Sequence, residues 1–91
     1  MDRITNKHLE GVVNRLNRVT GNPSNPWTKK NGKLTANIGN YHLYGAYGST
    51  GLHRMYSEGG GVETVIHLTT KRDLYNKIIA LLDGIEIGKE L

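Results

Sequence analysis

The sequence of 91 residues contains no cysteine and no phenylalanine, and it has only two prolines and one tryptophan. Without cysteine the chain can form no disulfide bond, no thiolate nucleophile and no cysteine-ligated zinc site. Without phenylalanine the core has to be built from leucine, isoleucine, valine, tyrosine and the tryptophan. A chain of this length supports one small core. We therefore expect a single domain over residues 1–91 that gains stability as a homo-oligomer.

The chain also lacks a long apolar run. No stretch approaches the roughly 20 residues that a membrane-spanning helix needs. No apolar segment follows the first residues in the manner of a signal peptide. We expect a cytoplasmic protein without a membrane partner.

Acidic residues are the minority among the charged side chains. Lysine and arginine number 12 against eight aspartates and glutamates, which gives a net charge of +4. This balance favours anionic partners, such as nucleotides or nucleic acid. The basic residues are scattered along the chain, so the sequence predicts a positive surface rather than a basic tail.

Two segments have the apolar spacing of amphipathic helices. In the first, Thr5 is placed as the N-cap and Gly21 as the residue that ends the helix, which predicts a helix over 5–20. The second begins at Thr70 and predicts a helix over 71–84. The apolar stripes consist of Leu9, Val12, Val13, Leu16 and Val19 in the first helix, and of Leu74, Ile78, Leu81, Leu82 and Ile85 in the second.

The segment between the helices has the pattern of antiparallel strands. Asn31-Gly32 is a strong signal for a two-residue hairpin turn and joins strands at 27–30 and 33–38. Further strands are predicted at 41–47, 52–57 and 62–68, with a turn over Gly48–Gly51. The fold class is therefore α+β, with an N-terminal helix, an antiparallel meander of three to five strands and a C-terminal helix. Both helices are expected on one face of the sheet.

Residues 39–62 concentrate the unusual chemistry. This block holds seven of the 12 glycines, four of the five tyrosines and two of the four histidines. Alternation along a strand places Tyr41, Leu43 and Tyr47 on a packing face, and His42 and Tyr44 on the opposite, open face. The block is the best candidate for a binding site.

Five short motifs run through this block and into the last helix. They are GNYHL at 39–43, AYG at 46–48, LHRM at 52–55, EGGGV at 58–62 and KRDLY at 71–75. Together they resemble a family of small proteins encoded by bacteriophages and prophages. Ser49-Thr50-Gly51 and Thr69-Thr70 depart from that family's residues. The resemblance implies a phage accessory protein with a counter-defence role in the cytoplasm of an infected bacterial host, and it assigns no functional residue.

Catalysis and metal binding are not predicted. Ser49, Thr50 and Ser57 lie near two histidines, but no aspartate is placed to orient a base. The histidines do not form an H-x-H or HExxH pattern. Glu58 and Glu63 flank the triple glycine as solvated charges. We therefore expect a protein that is not an enzyme and has no metal and no cofactor.

An anionic, nucleotide-like ligand is the leading prediction for this block. Arg54 would pair with a phosphate, and the backbone N–H groups of the triple glycine would surround it. Lys71 and Arg72, at the start of the second helix, form a weaker candidate for anion binding. The predicted ligand-binding residues are His42, Tyr44, His53, Arg54, Gly59, Gly60 and Gly61.

Two alternatives remain open at this point. The protein could inhibit a host protein by docking through an exposed sheet face and its aromatic side chains. It could also be a basic accessory protein that binds nucleic acid through its scattered lysines and arginines.

Overall fold

The computed structural model describes residues 3–90 and shows an α+β fold. A two-stranded antiparallel sheet contains β1 and β2, and a three-stranded antiparallel sheet has the order β3-β4-β5. The elements in chain order are α1 (Asn6–Thr20), β1 (Trp27–Lys30), β2 (Lys33–Ala36), β3 (Tyr41–Ala46), β4 (Ser49–Met55), β5 (Val62–Thr69) and α2 (Lys71–Glu90).

Helix α1 has the ends that its sequence predicts. The Thr5 side chain accepts a hydrogen bond from the backbone N–H of His8, and the His8 ring accepts one from the backbone N–H of Thr5. Gly21 ends the helix in the left-handed conformation, with φ of 72°. A glycine reaches this conformation without the steric cost that a Cβ imposes, so the helix ends where the sequence indicates.

Helix α2 is longer than predicted. It starts after Thr70, whose hydroxyl accepts a hydrogen bond from the backbone N–H of Asp73, but it continues to Glu90 rather than ending near 84. Its predicted stop, Gly84, lies inside the helix. An isolated helical glycine costs only about 1 kcal/mol, and the last turns are tied to α1 by an ion pair between Arg15 and Glu86.

The hydrophobic core lies between the two helices and one face of the three-stranded sheet. Leu52 of β4 is fully buried beneath them, and Leu43 and Ile66 of the flanking strands pack against the same cluster. Both helices therefore lie on one sheet face, as predicted. The buried core cluster comprises Ile4, Leu9, Val12, Val13, Leu16, Leu52, Leu74, Ile78 and Leu82.

The predicted continuous meander is divided into two sheets because β2 ends at Ala36 rather than at residue 38. After β2 the chain turns at Gly39, which has φ of 95°. The next side chain, Asn40, is fully buried and donates to the carbonyl oxygen of Pro23 at 2.8 Å. This long-range hydrogen bond fixes the position of the chain after β2, and β3 pairs with β4 and not with β2.

The turn between β3 and β4 was predicted wrongly. It is formed by Tyr47 and Gly48, with φ of 52° and 80°, so β4 starts at Ser49 and not at residue 52. The side chain of Tyr47 is fully exposed at the tip of this turn. The sequence-based assignment of Tyr47 to the packing face is therefore wrong, since that residue has left the alternation of the strand.

The remaining strand ends differ from prediction by one or two residues. Strand β3 ends at Ala46, β4 at Met55 and β5 at Thr69. The pairing of β4 with β5 shifts register on both sides of Leu52. These irregularities change which residues of β5 share a face with β4.

Candidate functional site

Three aromatic side chains form a contiguous cluster on the sheet face that the helices leave open. His42 and His53 are direct cross-strand partners in β3 and β4, with ring centroids 5.7 Å apart in an edge-to-face arrangement. Tyr44 stacks on His53 with centroids 3.6 Å apart and an angle of 13° between the rings. We call these residues the ring cluster. They are three of the side chains that the sequence predicts for the site.

A glycine opposite Tyr44 makes the ring cluster possible. Tyr44 pairs with Gly51 across the strands, and a Cβ at Gly51 would lie 2.5 Å from Cε1 of the Tyr44 ring. The same Cβ would lie 2.7 Å from the carbonyl oxygen of Ile66. The Tyr44 ring therefore lies across the backbone of Gly51, and its hydroxyl approaches the Ile66 carbonyl at 3.5 Å. Close backbone approach is a common reason for glycine within a strand.

Both histidines of the ring cluster favour the neutral form. Burial lowers the pKa of His42 below its ordinary value, and the neighbouring His53 lowers it further, while a hydrogen bond to the Asn40 backbone acts in the opposite direction. Burial also lowers the pKa of His53. Since neutral imidazoles carry no positive charge, the ring cluster offers stacking surface rather than an electrostatic site for a phosphate.

Arg54, predicted as the phosphate partner, lies on the other face of the sheet. It pairs with Tyr41 across the strands, and its guanidinium carbon is 5.7 Å from the centroid of the Tyr41 ring. A guanidinium nitrogen is 3.3 Å from Oε1 of Glu63. Its Nε–H is buried and has no hydrogen-bond partner among the described residues. Arg54 and the ring cluster therefore do not converge on one ligand.

The triple glycine forms its own closed turn. The N–H of Gly60 donates to the carbonyl oxygen of Ser57 at 3.1 Å, and the N–H of Gly61 donates to the Ser57 hydroxyl at 2.8 Å. Two of the three backbone donors predicted to surround a phosphate are thus already engaged. At Gly60, which has φ of 96°, an added Cβ would lie 2.6 Å from the Trp27 ring. The triple glycine is where the hairpin packs on the larger sheet.

The hairpin formed by β1 and β2 presents a feature that the sequence-based prediction of a site left out. Its Asn31-Gly32 turn has φ of 50° and 79°, as the prediction of this hairpin requires. All four residues of β1 are exposed, and so are Lys33 and Leu34 of β2. We call Lys29, Lys30 and Lys33, which flank this turn, the hairpin lysines.

The hairpin lysines lie on both faces of the ribbon. Lys30 and Lys33 are direct cross-strand partners and share one face, whereas Lys29 pairs with Leu34 on the other. Like charges directly opposite each other are destabilising. An anion between Lys30 and Lys33 would lower the repulsion between their two positive charges.

A long stretch without acidic residues surrounds the hairpin. The sequence contains no aspartate or glutamate from Gly11 to Ser57, whereas six basic residues fall within the same stretch. No carboxylate of the ribbon therefore offsets the hairpin lysines. This gap in the acidic residues is the signal that could have indicated the hairpin from the sequence.

The weaker anion site at the start of α2 is arranged around a carboxylate. Lys71 and Arg72 are both exposed. The next residue, Asp73, accepts a hydrogen bond from the Thr69 hydroxyl at 2.7 Å and pairs with Lys77. The Thr69 hydrogen bond is the main cause that lowers the pKa of Asp73, with Lys77 also contributing. An ionised carboxylate at this helix start complements the helix dipole without an external anion.

Residues 3–90 form no metal site and no membrane-spanning helix. No three histidine, aspartate or glutamate side chains of this part of the chain come together as a metal site, and His67 is exposed on β5. None of the described helices is both long and apolar enough to cross a membrane. Comparison of the chain with protein-family models, curated proteins and solved structures found no match.

Proposed function

We propose that this chain is a nucleic-acid-binding accessory protein whose β1–β2 hairpin enters the groove of a duplex. The observation that carries the proposal is the placement of the hairpin lysines on both faces of an exposed two-stranded ribbon. The major groove of B-DNA is wide enough to admit such a ribbon. Lysines on both faces of the ribbon can then reach the phosphates of both strands.

The aromatic side chain at the base of the hairpin supports this arrangement. Trp27 is 42% exposed, and its ring is seated on Gly60. The hairpin is also hydrogen-bonded to the same loop, since the N–H of Ala36 donates to the carbonyl oxygen of Glu58 at 3.2 Å. These contacts fix the base of the ribbon and leave its lysine-bearing turn exposed. The ribbon is thus held on the larger sheet at its base.

A duplex is preferred to the small anionic ligand that the sequence first suggested. Such a ligand needs positive charge beside a stacking surface. Arg54 lies on the face opposite the ring cluster and pairs with Glu63, while the N–H groups of Gly60 and Gly61 are engaged within their turn. None of these groups therefore provides positive charge beside the ring cluster. The hairpin lysines provide positive charge on the β1–β2 ribbon instead.

The cellular setting belongs to the same proposal. The resemblance to phage and prophage proteins favours a counter-defence role in the cytoplasm of an infected bacterium, with no enzymatic activity. A protein that coats or distorts a duplex needs only to bind it. Homo-oligomer formation stays a prediction, which light scattering of the purified protein decides.

The proposal is tested by a matched pair of variants in a duplex-binding assay. The first variant replaces Lys29, Lys30 and Lys33 by glutamine. The control replaces Arg3, Lys7 and Arg18 by glutamine. These exposed residues lie on α1 or just before it, so both variants lose the same charge. We expect fluorescence anisotropy with a labelled DNA duplex to show a loss of affinity for the first variant and a much smaller loss for the control.

Two outcomes contradict the proposal. Equal losses in the two variants would mean that the net charge, and not the hairpin, causes binding. Absence of binding by the unmodified protein at low salt would mean that the chain is not a nucleic-acid-binding protein. Thermal unfolding of both variants shows whether each retains the fold.

A further inference from the structure

The outer edge of β3 runs beside α1 with a trough between them. β3 is the edge strand of its sheet, and no strand of the described residues pairs with its outer side. Since the N–H of Met55 donates to the carbonyl oxygen of Asn40, alternation of the ladder directs the backbone groups of His42 and Tyr44 toward β4. The backbone groups of Tyr41, Leu43 and Gly45 then point outward, into the trough.

The first of these outward positions already holds a peptide-like partner. The side-chain amide of Asn17 donates to the carbonyl oxygen of Tyr41 at 2.9 Å, and its oxygen accepts from the Tyr41 N–H at 2.7 Å. The carboxamide therefore occupies this position as a peptide unit of a neighbouring strand would. The backbone groups of the next outward positions, Leu43 and Gly45, have the same orientation, and no side chain within residues 3–90 is seen to hydrogen-bond to them.

Two adjoining cavities follow the edge at these positions. One, of about 220 Å³, is lined by Tyr41, His42 and Leu43 together with Glu10 and Asn14 of α1. The other, of about 310 Å³, is lined by Leu43 and Gly45 together with Glu10 and Asn6 of α1. Because Glu10 and Leu43 line both, the cavities form one trough with a strand edge on one side and amide side chains on the other.

The negative charge of Glu10 determines which kind of ligand the trough can bind. Glu10 lies at its middle, is exposed and makes no ion pair within residues 3–90. A carboxylate at this position repels phosphate and attracts a cationic side chain. The trough is therefore unsuited to the nucleic acid that the hairpin lysines would bind.

We propose that the trough between α1 and the edge of β3 binds an extended peptide as a fourth strand, with a lysine or arginine of that peptide beside Glu10. The peptide backbone pairs with the outward groups of Leu43 and Gly45, which is the general mode of strand addition to a sheet edge. Asn6 and Asn14 lie on the opposite wall, within reach of the other side of the peptide. This site binds a segment of a partner protein and is independent of the duplex-binding hairpin.

The test uses a defined peptide and nuclear magnetic resonance. The probe is a capped peptide of sequence Thr-Val-Thr-Lys-Thr-Val-Thr, which favours an extended conformation. We expect its addition to the full chain to shift the backbone amide signals of Leu43 and Gly45 and to leave those of Lys29 and Lys30 unchanged. Glu10→Gln should weaken binding by about 1.4- to 5-fold, the range for an exposed ion pair.

Two controls separate strand pairing from general attraction. N-methylation of the alternate peptide amides that face β3 should abolish binding, whereas methylation of the other alternate set should leave most of it. Glu10→Lys should reverse the preference between the lysine peptide and the same peptide with glutamate in place of lysine. The substitutions Glu10→Gln and Glu10→Lys leave the folded core untouched, because Glu10 is an exposed side chain.

Three results would overturn the proposal. The amides of Leu43 and Gly45 could fail to shift, or the two methylated peptides could bind equally well, and neither result is compatible with strand pairing. The same amides could also shift with protein concentration when no peptide is present. In that case a second copy of this chain occupies the edge instead of a partner peptide.

Discussion

Replacing Gly51 by alanine perturbs the contact on which the ring cluster depends. The new Cβ would lie 2.5 Å from Cε1 of Tyr44 and 2.7 Å from the carbonyl oxygen of Ile66. A tyrosine ring can rotate away, but the Ile66 carbonyl belongs to the paired strand β5 and cannot move alone. Overpacking of this kind costs about 1–3 kcal/mol. We therefore expect Gly51→Ala to lower the free energy of unfolding by that amount.

Urea and thermal denaturation measure this loss. In a domain of this size each kcal/mol lowers Tm by about 4–8 °C. The matched control is Gly11→Ala, because a Cβ at Gly11 meets no atom within 4 Å and the residue lies inside α1. That control should raise stability by up to about 1 kcal/mol, since alanine favours the helix.

A double-mutant cycle identifies the source of the strain. If the Tyr44 ring supplies part of the clash at Gly51, Tyr44→Ala combined with Gly51→Ala should cost less than the sum of the two single substitutions. The collision with the Ile66 carbonyl should persist in the double variant. A Gly51→Ala protein as stable as the unmodified chain would refute the proposed packing of the ring on this glycine.

Three further substitutions test the buried contacts and the helices. Asn17→Ala leaves the N–H and carbonyl groups of Tyr41 without their partner and should cost about 1–3 kcal/mol in urea denaturation; an unchanged midpoint would show that the carboxamide bonds are not needed. The pKa of His42 is lowered from 6.5 in the folded state, so the unfolded chain binds protons more readily below pH 6.5. The contribution of His42 to stability should therefore be fully present well above pH 6.5 and be lost as the pH drops through and below that value, so His42→Asn should reduce the acid-side fall in stability; equal pH profiles would contradict this. Gly84→Ala, where a Cβ meets no atom within 4 Å, should raise Tm because it removes about 1 kcal/mol of helix cost, and a lower Tm would contradict the continuous path of α2.

The elements set by local chemistry were predictable from the sequence. The ends of α1 depend on the Thr5 cap and the Gly21 stop, and the first hairpin depends on Asn31-Gly32. These signals act within a few residues of chain, so periodicity and turn chemistry are sufficient for them. The two-residue turn at Tyr47-Gly48 was not predictable in this way, because tyrosine rarely adopts positive φ.

Features set by contacts distant in sequence were missed. The end of β2 depends on buried Asn40 and its bond to Pro23, and the path of β4 depends on Gly51 beneath the Tyr44 ring. The spacing of residues along the sequence does not predict either of these two contacts. The length of α2 also depends on a contact distant in sequence, because its last turns are held by the ion pair between Arg15 of α1 and Glu86.

The candidate site was predicted in part. Strand alternation places His42 and Tyr44 on the open face, and the structure places His53, which was also predicted for the site, against both of them. The same alternation applied to β4 separates Arg54 from His53, because adjacent strand residues point to opposite faces. The grouping of Arg54 with the histidines overlooked this rule. The hairpin lysines were overlooked because they were judged as scattered charges, without regard to the missing acidic residues around them.

The salt dependence of duplex binding tests the central claim most directly. A protein that neutralises phosphates with three lysines should give a slope of about −2.7 in a plot of log affinity against log salt concentration. With Lys29, Lys30 and Lys33 replaced by glutamine, the slope should lie close to zero, whereas the control variant should keep a slope near that of the unmodified chain. If the hairpin variant retains the slope of the unmodified chain, the hairpin lysines do not contact the phosphates and the proposed function is wrong.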